Sequence, residues 1–132
     1  MDIWDYFIRK ESEFDEMSVD GNGVKFYAEE GSNNRFGHML GHVYLDDDVY
    51  LDVHERAEIV GRRAIHRTDY AYYLIIDGAE YWGYERDPTH NPAVHHHTYG
   101  HGTCVPSHAI SFKGVCRLAW HEVSLRATTL WP

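Results

Sequence analysis

At 132 residues the chain is long enough to bury one core and too short for two ordinary domains, so a single domain over 1–132 is expected. Hydrophobic residues at 43% and aromatic residues at 14% exclude the composition of a disordered chain. A formal charge of −9 with histidines neutral opposes non-specific attraction to nucleic acid, so any RNA contact has to be made at a local site.

No run approaches the roughly eighteen apolar residues of a membrane span. The start, Met1 to Arg9, lacks the basic region and small-residue cleavage site of a signal peptide, so a cytoplasmic location is expected. In that compartment Cys104 and Cys116 are expected as free thiols.

Residues 2–17 place Ile3, Trp4, Phe7, Ile8, Phe14 and Met17 largely on one side of a helix, with Asp2 as N-cap. Asp20-Gly-Asn-Gly23 signals a turn, Val24 to Ala28 a short strand, and the polar run Glu29 to Arg35 a surface loop. Phe36 to Leu45 alternates loosely. Asp46-Asp47-Asp48 then separates it from 49–54, where Val49, Leu51 and Val53 face one way and Tyr50, Asp52 and His54 the other, as in a half-buried strand. The Asp triplet reads as a solvated hairpin tip, with a cation site as the alternative. Ile59, Val60 and Ile65 flank Gly61, where a bend or bulge is expected.

Asp77-Gly78 lies between two strand-like runs over 70–86 and predicts a tight hairpin. A two-residue turn opposes Ile76 to Ala79, Leu74 to Tyr81, Tyr73 to Trp82 and Tyr72 to Gly83, and the aromatic density of both faces predicts a hairpin covered on each side. Phe112, Val115, Cys116, Ala119, Trp120 and Val123 then recur at helical spacing over about 112–126, after a Ser111 N-cap. The expected fold is α+β: an antiparallel sheet of four to six strands with an N-terminal helix and a C-terminal amphipathic helix.

Six of the eleven histidines fall in residues 87–108, a connection long enough to be a functional loop. Three chemistries fit it. For metal-independent RNA cleavage, His90, His95, His97 and His101 are proton-transfer candidates, Arg86 and Asp87 complete the polar set, and Tyr99 and Tyr84 can stack on a base. No cofactor is required for that chemistry. For zinc or another divalent transition metal, His95, His97, His101, Cys104 and His108 form the donor series. The third reading is a loop ordered by histidine hydrogen bonds and stiffened by Pro88, Pro92 and Pro106. His38, His42, His54, His66 and His121 read as surface positions, and Glu55-Arg56 and Arg62-Arg63 as surface pairs or a phosphate-contacting strip.

Leu51-Asp-Val-His-Glu55, Tyr70-Ala-Tyr-Tyr73, Asp77-Gly78, Tyr84-Glu-Arg-Asp87, His90-Asn-Pro92, His95-His-His97 and His101 together resemble the TumE-type toxin proteins of prokaryotic toxin–antitoxin pairs. The resemblance covers roughly residues 45–125. It departs at Tyr72-Tyr73, where the family often has Tyr-His, and in the histidine spacing. It implies an RNA-directed activity and a small helix-turn-helix antitoxin as partner. A non-enzymatic metal- or partner-binding module with a histidine-rich site is the alternative.

Overall fold

The computed structural model describes residues 1–19, 21–89, 93–98 and 105–130, with side chains described for all of these except His97, Thr98, Val105, Pro106 and 126–130. Helix α1 (Ile3–Met17) leads into strands β1 (Lys25–Ala28), β2 (Phe36–Asp46), β3 (Val49–Val60), β4 (Ala64–Ile76), β5 (Ala79–Arg86), β6 (Val94–Thr98) and the two-residue β7 (Val105–Pro106), and helix α2 (Phe112–Leu130) follows. All neighbouring strands are antiparallel and the sheet order is the chain order, a simple meander. This is the expected α+β arrangement, with six strands of four residues or more and one short added pairing. Among the described residues no helix is long and apolar enough to cross a membrane.

Asp2 caps α1 as its sequence predicts. Its side chain accepts from the Trp4 and Asp5 amides while Asp5 reaches back to the Asp2 amide, a reciprocal capping box. The buried stripe, however, is Ile3, Tyr6, Phe7, Lys10 and Phe14, and Trp4 and Ile8 are exposed. Spacing explains the correction: 3, 6, 7, 10 and 14 follow one helical face, and positions 4 and 8 lie a further 100° or so around it. At the other end the Ser111 hydroxyl accepts from the Gly114 amide, and α2 buries Phe112, Val115, Cys116 and Ala119.

The core lies between the helices and one sheet face. Phe14 meets Phe112 edge-on at 4.5 Å, and Phe112 meets Tyr72 at 5.9 Å, so both helices and the central strands share one apolar layer. In β3 that layer takes Val49, Leu51, Val53, Glu55, Ala57 and Ile59, in strict alternation. Both helices sit on this face, so the expectation of a hairpin covered on each side is corrected. Among the described residues the opposite face of β2–β4 carries no helix.

Asp48 closes the β2–β3 hairpin at φ 56°, Gly61 the β3–β4 turn at φ 63°, and Asp77-Gly78 the β4–β5 turn with both residues at positive φ. Beyond Ile75–Glu80 the expected register fails. The register shifts between Leu74 and Ile75, so Leu74 pairs with Trp82, Tyr73 with Gly83 and Tyr72 with Tyr84. Without the bulge Glu85 would stand beside Tyr70 on the apolar face, whereas with it Glu85 stands beside Ala71 on the open face and Trp82 enters the core.

Candidate functional site

The long histidine-rich connection is not a plain loop. Val94–Thr98 forms β6 on the far side of β5, with Glu85 opposite His95, Tyr84 opposite His96 and Gly83 opposite His97. Registers through five strands then align one row across the open face: Leu40, His54, Ala71, Glu85 and His95. Directly paired residues share a face, so His54, Glu85 and His95 line up with only the small Ala71 between the first two. The next row holds Asp52 and Tyr73, and the row on the other side Arg56 and Asp69.

A groove of about 620 Å³ lies over these rows, lined by Asp52, His54, Arg56, Asp69, Tyr73, Glu85, Arg86 and Asp87. A second, of about 340 Å³, continues from it past His38 and Glu29 and shares His54, Arg56 and Asp69. At the floor Tyr73 donates its hydroxyl to Glu85 Oε1, and His95 Nε2 lies 3.3 Å from Glu85 Oε2. Glu85 and His95 are both buried, whereas His54 is exposed. Burial, then the hydrogen bond to Glu85, pushes the Tyr73 hydroxyl far above the ordinary phenol range, so it holds its proton throughout neutral conditions. Arg56 Nε stands 3.9 Å from Asp69 Oδ1, and Arg86 Nε donates to the Thr68 carbonyl at 3.3 Å. The groove thus joins a buried acid, one histidine, a protonated phenol and two arginines, with His95 buried behind the acid.

The candidates from the sequence divide. Arg86 and Asp87 line the groove, and His95 is buried beside Glu85, outside the lining. Asp87 also shapes its rim, because its carboxylate accepts from the Thr89 amide at 3.0 Å and hydroxyl at 2.7 Å. Tyr84, expected to stack on a base, is instead paired with Tyr72 on the helix side, where it meets Trp82 edge-on and stacks on His96 at 5.3 Å. The His97 backbone pairs with Gly83, and its side chain lies outside the described residues. His90, Tyr99, His101 and Cys104 also lie outside them. His108 is exposed. Among the described residues no group of three His, Cys, Asp or Glu side chains is placed to hold a metal ion.

The sequence alone assigns Tyr73 and Glu85 no site role and shows His54 only as a surface position, which its exposure bears out. It presents Glu55-Arg56 as a surface pair or phosphate-contacting strip, which the burial of Glu55 corrects. Glu55 is wholly buried on the helix side. Tyr6 donates to its Oε1, Tyr72 to its Oε2 at 2.8 Å, and Arg67 donates to the Tyr72 oxygen at 3.1 Å and the Ile110 carbonyl at 2.9 Å. Burial first, and Glu55 second, pushes both phenols above their usual range. Burial works against the Arg67 charge, but Tyr72 and Glu55 outweigh it and hold the proton more firmly than usual. The signal was in the alternation: a glutamate in the series Val49, Leu51, Val53, Glu55, Ala57 must be inward. No protein-family model, characterised protein or solved structure matches this chain.

Proposed function

We propose that the protein is a cytoplasmic toxin of a toxin–antitoxin pair that cleaves RNA by acid–base chemistry in the open-face groove, with a small helix-turn-helix antitoxin as its partner. The observation that carries this is the row His54–Ala71–Glu85 at the groove floor, with His95 buried next to Glu85 and Arg56 and Arg86 in the lining. The proton-transfer role here lies with His54 rather than with the histidine run as a whole, and the buried Glu85–His95 contact supports it.

In this reading the neutral His54 imidazole takes the 2′-hydroxyl proton as the 2′-oxygen attacks phosphorus. The bond to the 5′-oxygen breaks as the Tyr73 hydroxyl turns from Glu85 and gives its proton to that oxygen, which is more basic than a phenolate, and solvent then carries the proton from the His54 imidazolium back to Tyr73. Glu85, braced from the buried side by His95, holds the phenol in place. His54 and Tyr73 are diagonal neighbours across the β3–β4 pair, about 7 Å apart at Cβ, a span that brackets one phosphodiester. Arg56 and Arg86 supply the charge for the phosphate. Asp52, Asp69 and Asp87 on the rim oppose a polyanion, so substrate binding should be weak and short in reach.

The product ends test the reading. Cleavage of a single-stranded RNA oligonucleotide should leave a 2′,3′-cyclic phosphate and a 5′-hydroxyl and continue in the presence of chelator. A 3′-hydroxyl with a 5′-phosphate, or no cleavage at all, would remove it.

A further inference from the structure

We infer that the helix side of the molecule carries a separate phosphate-binding site, formed by Arg9, Lys10 and Arg63 where the first helix meets the β3–β4 turn. These side chains line a groove of about 420 Å³ with Tyr6, Glu13 and Ile65. It shares no lining residue with the open-face groove.

The fold assembles this group from two distant pieces of chain. On α1, Tyr6, Arg9, Lys10 and Glu13 are three or four residues apart and share a face. The turn after β3 is tied down by Arg35, which donates to the carbonyls of Ile59 at 3.0 Å and Gly61 at 2.6 Å, and this presents Arg63 to the helix. Lys10 is nine-tenths buried, with Nζ 3.1 Å from Glu13 and 6.0 Å from the centre of the Tyr6 ring. The Arg9 guanidinium lies 6.0 Å from the same ring centre. Among the described residues neither Arg9 nor Arg63 enters an ion pair.

Three cations around one groove repel each other, and Glu13 offsets only one of them. The chain has twelve basic residues and a net charge of −9, so this grouping is a local reversal of the molecule's field. A ligand with two negative charges and several acceptor oxygens matches the two remaining guanidinium groups, each of which binds phosphate through paired N–H donors. The shared chemistry is a phosphate group, supplied either as a terminal monoester or as a backbone diester. The site stands independently of the RNA-cleavage reading.

The test measures binding of inorganic phosphate, and of 5′-phosphorylated and 5′-hydroxyl forms of one single-stranded oligoribonucleotide, at fixed ionic strength. Wild type, the double variant Arg9→Gln/Arg63→Gln and His54→Ala are compared. Both arginines are exposed, so the double variant should melt as wild type does in the absence of ligand. Expected is phosphate binding that the double variant weakens at least tenfold and His54→Ala leaves unchanged. A preference for the phosphorylated oligonucleotide assigns a terminal phosphate, and equal affinity lost in the double variant assigns the backbone. Binding of all three probes unaffected by the double variant, or an equal response to chloride, overturns the site. Loss of RNA cleavage in His54→Ala with phosphate binding intact separates the two assignments.

Discussion

Replacing Glu55 by glutamine keeps its shape and removes its charge, and the structure allows the cost to be worked out. The wild-type carboxylate accepts from both Tyr6 and Tyr72, and Arg67 completes the set from the far side of Tyr72. An amide offers one acceptor oxygen, so one phenol then faces an N–H₂ group. Charge-assisted bonds contribute about twice a neutral bond, so two of them lose roughly 1 kcal/mol each. The half-buried Arg67 also loses a carboxylate that favours its charge. We expect a loss of about 2–4 kcal/mol for Glu55→Gln, and about 3–5 kcal/mol for Glu55→Ala, which leaves both phenols without that acceptor. For a domain of this size the glutamine variant should melt about 10 °C lower. Calorimetry or circular dichroism at neutral pH reads this directly. In contrast, Glu55→Leu combined with Tyr6→Phe, Tyr72→Phe and Arg67→Met should lose much less than the single change, because no charged group of the network is left stranded. A glutamine variant within 2 °C or so of wild type would falsify the claim that this network holds the helices to the sheet.

Other outcomes follow from the same contacts. Tyr6 and Tyr72 have folded pKa values raised above their unfolded value of about 10, so their contribution is fully present below pH 10 and is lost as pH rises from there toward the folded values. Tyr6 and Tyr72 together should contribute about 3 kcal/mol per pH unit to the fall in stability above that point, so denaturant titrations of Tyr6→Phe should show a slope shallower than wild type by about 1.4 kcal/mol per pH unit. Gly37→Ala should cost about 1–3 kcal/mol, because an added Cβ would meet the Tyr27 carbonyl oxygen at 2.5 Å and the Phe7 ring at 2.7 Å; an unchanged denaturation midpoint contradicts this close packing. Asp52→Asn should tighten binding of a single-stranded oligonucleotide roughly two- to fivefold at low salt, with the gain shrinking as salt rises. Equal affinities at low salt would place the nucleic acid elsewhere.

Local patterns carried much of this fold into view. The Asp2 cap, the Asp77-Gly78 turn and the 112–126 periodicity each depend on neighbours a few residues apart, and each is present in the structure. The β4–β5 bulge has no such signal, yet it decides which face Glu85 occupies, since a one-residue slip exchanges the two faces. Likewise β6 is a run of histidines with no apolar alternation, held by backbone pairing to β5, so hydrophobic patterning does not find it. The density of histidines in the chain drew attention to 87–108, but nearness in sequence is not convergence in space. His54 reaches the row of His95 only through the pairings of β3 with β4, β4 with β5 and β5 with β6, whose offsets have to be known together. Tyr84 shows the same dependence, since the shift by one turned it to the helix side.

The most direct test of the open-face site is single-turnover cleavage of a single-stranded RNA oligonucleotide by wild type and His54→Ala, with the melting temperature of each recorded. His54 is exposed and outside the core, so its replacement should leave the melting temperature within about 2 °C. The account predicts a loss of cleavage of at least a hundredfold, within the usual range for a general base. Equal cleavage by the two proteins would contradict it and move the chemistry away from this face.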